Sequence, residues 1–282
     1  MNNTIMISDN HAHINPVRGL GAEEVAKRFK KTNGWFMCIV SLPHWSYGLK
    51  FSTDDYKKVF KYVIECSEIL EKYGIRTARI IGVHPAVVEK MCMHVHVDKV
   101  KEAVLEIYEY AKELVKEGKV EGLGEVGRPH YPADRTAIDL CNQILDHVLT
   151  LSADLDCVVH LHVEQGNIRT IDDLSNRVKR SGARKVIFHH INPQLIPLSV
   201  KEGLIPSVPA KFDLLKRATK YEPKYVIESD FLDDPRRPGA VVAPWAISRT
   251  IKRLQDNNLC SSDYLTKILV ENITKIYGIS PK

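Results

Sequence analysis

Apolar residues in this chain gather into short unbroken blocks, separated by longer stretches in which they return every three or four positions. An unbroken block fits a strand buried on both faces, and the three-to-four repeat fits an amphipathic helix. The first block, 5–8, runs directly into Asp9-Asn10-His11-Ala12-His13. Residues 22–31 follow as a helix with Val25 and Phe29 on one face, and 35–41 as a second strand ending in Leu42-Pro43-His44. A long helix over 54–73 is stopped by Gly74, a third strand over 79–83 is closed by His84-Pro85, and a helix over 97–117 ends at Gly118. The fourth strand, 120–127, carries Glu125 at its centre among Gly122, Gly124 and Gly127. Glycine weakens a strand, so three of them imply that something approaches the backbone closely.

The alternation continues with a helix over 133–151, a strand over 157–164, a helix over 171–180 and a strand over 185–190. Pro193, Pro197 and Gly203 keep the next helix short. Residues 204–208 make a seventh strand, weakened by Pro206; 210–220 are helical, and 225–230 form the eighth strand. A loop over 231–239, rich in Asp, Pro and Arg, precedes helices over 244–257 and 262–277. Eight strands alternating with helices, with no low-complexity linker, predict an α/β protein: a single (β/α)₈ TIM barrel domain over 1–282. The competing open doubly wound sheet lacks its Gly-x-Gly-x-x-Gly turn after the first strand.

Composition narrows the setting. The chain has 282 residues, 44% of them hydrophobic, enough for a sizeable core. No apolar run approaches the ~18 residues of a membrane span. The amino terminus lacks a basic region followed by an apolar stretch, so no membrane partner and a cytoplasmic location are expected. Six scattered cysteines without a Cys-x-x-Cys pair read as reduced thiols. Net charge is +5, from 40 Lys+Arg against 35 Asp+Glu, which suits an anionic substrate without demanding nucleic acid.

The candidate chemistry sits at the strand ends. Residues i and i+2 of a strand share a face, so His11 and His13 aim side by side. In a barrel of this kind the carboxyl ends of the strands build the active site. They collect His11, His13, His84, Glu125, His162 or His160, His189 or His190, and Asp230. Six of these, His84 excepted, make two adjacent metal sites that share one carboxylate. Imidazoles and carboxylates without cysteine suit Zn²⁺, Mn²⁺, Fe²⁺ or Mg²⁺ rather than a closed structural zinc. Two such cations, about 3.5–4 Å apart, acidify a shared water and polarise a phosphoryl or carbonyl oxygen. A carboxylate such as Asp230 is suited to take the nucleophile's proton and pass it on. His160 and His162 share a face, with His162 nearer the mouth by the count from the preceding helix. His189 and His190 point to opposite faces of an extended strand.

These residues carry a resemblance. His11-Ala12-His13, Gly82-Val83-His84-Pro85, Gly124-Glu125-Val126-Gly127, Val186-Ile187-Phe188-His189, Glu228-Ser229-Asp230 and the segment Glu271 to Gly278 follow the order of the TatD family of metal-dependent hydrolases. The resemblance implies that Glu125 bridges two divalent metals where related barrels use a carboxylated lysine. His11, His13 and Asp230 would hold one metal, and His162 and His189 the other. It also implies a substrate- or phosphate-binding role for His84, and DNA as substrate, attacked at a strand end. Two departures bear on substrate. Gly127-Arg128-Pro129-His130 replaces the Gly-Leu-Asp of the common bacterial pattern, and Asp233, Asp234, Arg236 and Arg237 follow Asp230.

Arg128, Arg236 and Arg237 are therefore candidates for gripping phosphate, His44 and His130 for touching substrate, and Trp45, Tyr47 and Tyr131 for stacking on a base. Asp9 is placed to fix an imidazole tautomer. Glu228 either orients the site or pairs with a barrel lysine or arginine. His94 and His96 read as solvated, and His147 as structural. A hydrolase of a small amide, lactone or phosphoester is the alternative enzyme, and a non-catalytic barrel that binds metal or nucleic acid is the alternative of another class.

Overall fold

The computed structural model describes residues 5–164, 166–236 and 242–281; Arg237 lies outside them. Nine parallel strands form one sheet in the order β8-β7-β6-β5-β4-β3-β2-β1-β9. They are β1 (Ile7–His13), β2 (Gly34–Val40), β3 (Arg76–Ile81), β4 (Gly122–Gly127), β5 (Val158–His162), β6 (Val186–Phe188), β7 (Ile205–Pro209), β8 (Val226–Glu228) and β9 (Phe231–Leu232). β8 pairs with β7 and β9 with β1, yet only Ser229 and Asp230 separate them. The two ends of the sheet are thus one stretch of chain, and the barrel closes through it.

The sequence reads 225–230 as one strand. The break arises because the chain crosses there from the edge of β7 to the edge of β1. The Ser229 and Asp230 amides donate to Asp9 Oδ1 and to the His11 carbonyl, at 2.8 and 2.9 Å, and Asp230 turns with φ +51°.

The three glycines of β4 have a physical cause. A Cβ on Gly124 would stand 2.6 Å from the His160 carbonyl oxygen, and one on Gly127 2.2 Å from that of His162. Both glycines also hold φ near +140°, at +144° and +141°, a conformation that side chains avoid. What approaches the β4 backbone is β5, which brings Glu125 and His162 side by side.

Helices surround the sheet: α1 (Gly21–Lys30), α2 (Thr53–Lys72), α3 (Pro85–Cys92), α4 (Val97–Lys116), α5 (Arg135–Leu155), α6 (Ile168–Ser181), α7 (Ile196–Lys201), α8 (Phe212–Ala218) and α9 (Ile247–Asp256). Their apolar faces, such as Tyr56, Val59, Phe60, Val63 and Leu70 of α2, build the outer core. The sequence reading left 86–96 unassigned. Pro85 at the first position of α3 starts a helix as well as it stops a strand, and His84 caps it. A smaller core fills the amino-terminal end of the barrel, where Ile273 and Ile276 pack against Trp35, Phe36, Ile80 and Val226. This end is plugged by the final helix, whose middle turn, Lys267–Glu271, widens to a π-helix; Trp35 Nε1 donates to the Leu269 carbonyl at 3.0 Å. Polar side chains are left to the opposite mouth. Among the described residues no helix is long and apolar enough to cross a membrane.

Candidate active site

Glu125 stands at the centre of the mouth, and its two oxygens sort four imidazoles into two pairs. Oε2 lies 3.7 Å from His11 Nε2 and 3.3 Å from His13 Nε2. Oε1 lies 2.9 Å from His162 Nδ1 and 3.5 Å from His189 Nε2. Asp230 reaches the second pair, with Oδ1 3.8 Å from His189 Nε2, and clusters with His11 as well. Burial alone would raise the carboxyl of Glu125. The charge of His11 and the hydrogen bond from His162 outweigh it and hold the group well below the usual range. Asp230 is likewise held low against its burial, chiefly by the neighbouring His189 and then by His190. Burial drives His13, His160 and His189 toward their neutral forms, whereas the pull of Glu125 overcomes it at His11 and raises that pKa. Ionised carboxylates facing mostly neutral imidazoles are the protonation state in which metals bind.

Proton positions follow from the partners. The Tyr277 hydroxyl donates to Asn10 Oδ1 at 2.8 Å, so it accepts from His160 Nε2–H at 2.9 Å. His160 Nδ1 is then bare and accepts from His11 Nδ1–H at 3.0 Å, leaving a lone pair on His11 Nε2. His13 Nδ1 faces the Val40 carbonyl at 3.0 Å and must carry its proton, so Nε2 is bare there too. His189 Nδ1 lies 3.0 Å from Glu228 Oε2, close but not aligned as a hydrogen bond, while its Nε2 faces Glu125 and Asp230 at 3.5 and 3.8 Å. His11 Nε2 and His13 Nε2 face each other at 3.2 Å. Two lone pairs at that distance repel, and either a proton on His11, whose pKa is raised, or a metal cation between them removes the repulsion. The donor set fits divalent metal: His11, His13 and Glu125 form one metal-capable cluster, His162 belongs to two more, with His84 and Glu125 and with His189 and His190, and Asp230 joins His11 and His189 in a fourth.

The remaining sequence candidates divide. His160 is in none of the metal-capable clusters and lies beneath His11, with the orienting role that the sequence reading gave to Asp9. Asp9 accepts backbone amides instead, from His11 at 3.2 Å and Ser229 at 2.8 Å. His189 and His190 do not point apart. β6 ends before them, and φ of +39° at His190 turns its ring back onto His189, with centroids 3.9 Å apart and Nδ1 3.9 Å from Asp230 Oδ2. Glu228, fully buried, pairs with no lysine or arginine among the described residues. It accepts from the His190 amide at 2.7 Å and from the Ser207 hydroxyl.

Arg128 is turned away from the mouth. Its guanidinium is filled by Glu164, Asp173 and Asn142, at 3.0, 2.5 and 3.2 Å, so it ties β4 to α5 and α6 and leaves no fork for phosphate. Two residues on, His130 Nδ1 meets His162 Nε2 at 2.9 Å, and the departure from the bacterial pattern was its only signal in the sequence. Arg236 lies at the rim, paired with Asp234 at 2.7 Å. Asp233 is buried and clasps the amides of Asn15, Leu20 and Gly21. His84, Trp45, Tyr131 and Arg236 line a cavity of about 570 Å³ above Glu125. Tyr47 and His44 are buried and do not line it; His94 and His96 are exposed.

Burial lifts Asp9 from the usual 3.8 to about 7, with Oδ2 left unpartnered among the described residues. The folded state thus holds this proton more tightly than the unfolded chain. Its stability falls as pH climbs from about 4 through about 7, by up to ~4 kcal/mol for a shift of three units. Asp9→Asn keeps the acceptor for both amides and removes the charge. The metal-free variant should be more stable than wild type at pH 8 by ~1–3 kcal/mol, with a smaller gap at pH 5. Thermal melts at the two pH values check it, and a gap that does not widen would refute the assignment.

The chain resembles several known proteins. The chain is 29% identical to the uncharacterized protein MJ1127 of Methanocaldococcus jannaschii, over 98% of its own length and 97% of that protein. The crystal structure of YjjV, a TatD homologue from Escherichia coli K12, superposes with a TM-score of 0.69 at 18% identity, covering 96% of this chain and 98% of that one. The phosphotriesterase homology protein of Escherichia coli, solved with phosphate in its active site, gives 0.65 at 9% identity over 98% and 99%. At such identities the two structures speak for the barrel alone. Residues 8–278, from the strand that carries His11 and His13 to the glycine that ends the final helix, match the TatD related DNases, and the chain belongs to that family.

Proposed function

We propose that this protein is a hydrolase of phosphodiester bonds that works with two divalent cations, zinc, manganese or magnesium, and acts on DNA at a strand end. One observation carries the reading: the two oxygens of Glu125 face two separate histidine pairs, the arrangement of a shared ligand. Cations held there lower the pKa of a water and polarise a phosphoryl oxygen. The protein's own groups do the rest. Asp230, held ionised at the edge of the cavity, accepts the attacking water's proton and returns it to the leaving oxygen. His84 Nδ1 accepts from the Ala86 amide at 3.0 Å, so its proton sits on Nε2, and burial pushes its pKa down to about 3. In this form it is a neutral donor suited to a phosphoryl oxygen. Trp45 and Tyr131 give the cavity aromatic walls on which a terminal base can stack.

Turnover tests the reading. Metal-loaded protein is expected to cleave short single-stranded oligodeoxynucleotides, to stop when chelator is added and to recover with Mn²⁺ or Zn²⁺. Lactones, amides and simple carboxylic esters should react far more slowly. Faster turnover of one of those would replace the phosphodiester as substrate class, and metal binding without any turnover would mean a non-catalytic barrel.

A further inference from the structure

A second cavity, of about 390 Å³, adjoins the one above Glu125. His130, His162 and Asp230 line both, so the metal-capable cluster forms a ridge between two lobes. The lobes differ in chemistry. The first holds Trp45, Tyr131 and Arg236, the last paired with Asp234. The second holds Lys211, which follows β7, and Arg217 on α8, opposite Asn192. Arg217 donates only to the backbone carbonyl of Asp213, at 3.3 Å, and neither cation has a carboxylate within ion-pair distance among the described residues. Elsewhere on the surface, Lys27 and Arg28 of α1 and Lys57 and Lys58 of α2 are paired with neighbouring acids. Asp230, the acid of this second lobe, is engaged by His189 and His190. Asn192 adds a buried Oδ1 with no donor among the described residues, an acceptor in want of a hydroxyl or amine.

We infer that this second lobe is a subsite for a second anionic group of the substrate, a phosphate on a sugar that carries a hydroxyl, held by Lys211 and Arg217 while the scissile bond lies over the ridge. The inference rests on the phosphodiesterase reading and sharpens it. The preferred substrate carries another phosphate within one nucleotide of the bond that is cut, and a lone diester is a poor one. Charge-assisted hydrogen bonds from two cations make such a phosphate worth roughly tenfold to a hundredfold in kcat/KM.

The test compares d(TpT) with d(pTpT) and d(TpTp) on the metal-loaded enzyme and on Lys211→Ala/Arg217→Ala, both exposed positions. Wild type should prefer at least one phosphorylated dinucleotide by tenfold or more, and in the double variant that ratio should fall to near one. No preference in wild type, or a preference that survives the double substitution, overturns the subsite while leaving the phosphodiesterase reading intact. Should no dinucleotide be cleaved, that reading fails. The subsite is then judged on pyrophosphate binding to the metal-loaded proteins, where the double variant should bind at least tenfold more weakly and equal binding overturns it.

Discussion

Glu125→Gln is expected to lose tight binding of both cations and about 10³-fold or more of turnover. Glutamine matches glutamate in shape, so the close packing of β4 on β5 at Gly124 and Gly127 is undisturbed. What changes is chemistry. One oxygen becomes an amide with no lone pair to offer, and the negative charge that faces all four imidazoles disappears. Since Oε2 serves His11 and His13 and Oε1 serves His162 and His189, no orientation of the amide leaves both sides intact. Loss of several kcal/mol of transition-state stabilisation corresponds to about three decades of rate. Metal analysis after dialysis, alongside oligonucleotide turnover, provides the measurement. Two equivalents of metal with near wild-type turnover would remove Glu125 from the centre of the site.

The same residues show where sequence reasoning reaches and where it stops. The strands were legible because a strand covered on both faces has to be apolar throughout, and residues 35–41 or 157–161 leave little else to be. The metal-capable side chains were legible because parallel strands in a barrel end on one rim, which makes His11, Glu125, His162 and His189 neighbours despite their distance in sequence. Backbone direction at the rim was not. His190 and Asp230 both adopt positive φ without being glycine, and nothing in their identity announces it. Extended geometry therefore sent His190 to the wrong face and ran the eighth strand through its crossing point.

Side-chain partners brought together only by folding were equally hidden. Arg128 resembles a free loop cation until Glu164 and Asp173 are folded against it. The link from Tyr277 to Asn10 joins residues 267 positions apart, and it sets the proton on His160 and thereby the free lone pair of His11. His160 read as a rival ligand to His162 because both face the same way. Depth separates them: one is at the mouth, the other one layer beneath it.

Asp230→Asn should lower kcat by about 10²–10⁴-fold while sparing much of the metal content, and the choice of asparagine matters. Asp230 holds φ at +51°, in the left-handed region that asparagine tolerates and alanine does not. Asp230→Ala would therefore mix backbone strain with the loss of the carboxylate, whereas Asp230→Asn keeps the crossing from β8 to β9 and the amide bond to the His11 carbonyl. The asparagine cannot take a proton from water, nor hand one to a leaving oxygen. If proton transfer is the role, kcat falls and KM stays near its wild-type value, because Glu125, His84 and the cavity walls are untouched. A fall in metal content as large as that of Glu125→Gln would make Asp230 foremost a ligand. Cleavage at the wild-type rate would place the proton acceptor elsewhere, with His190, 3.9 Å from Asp230, the next group to test.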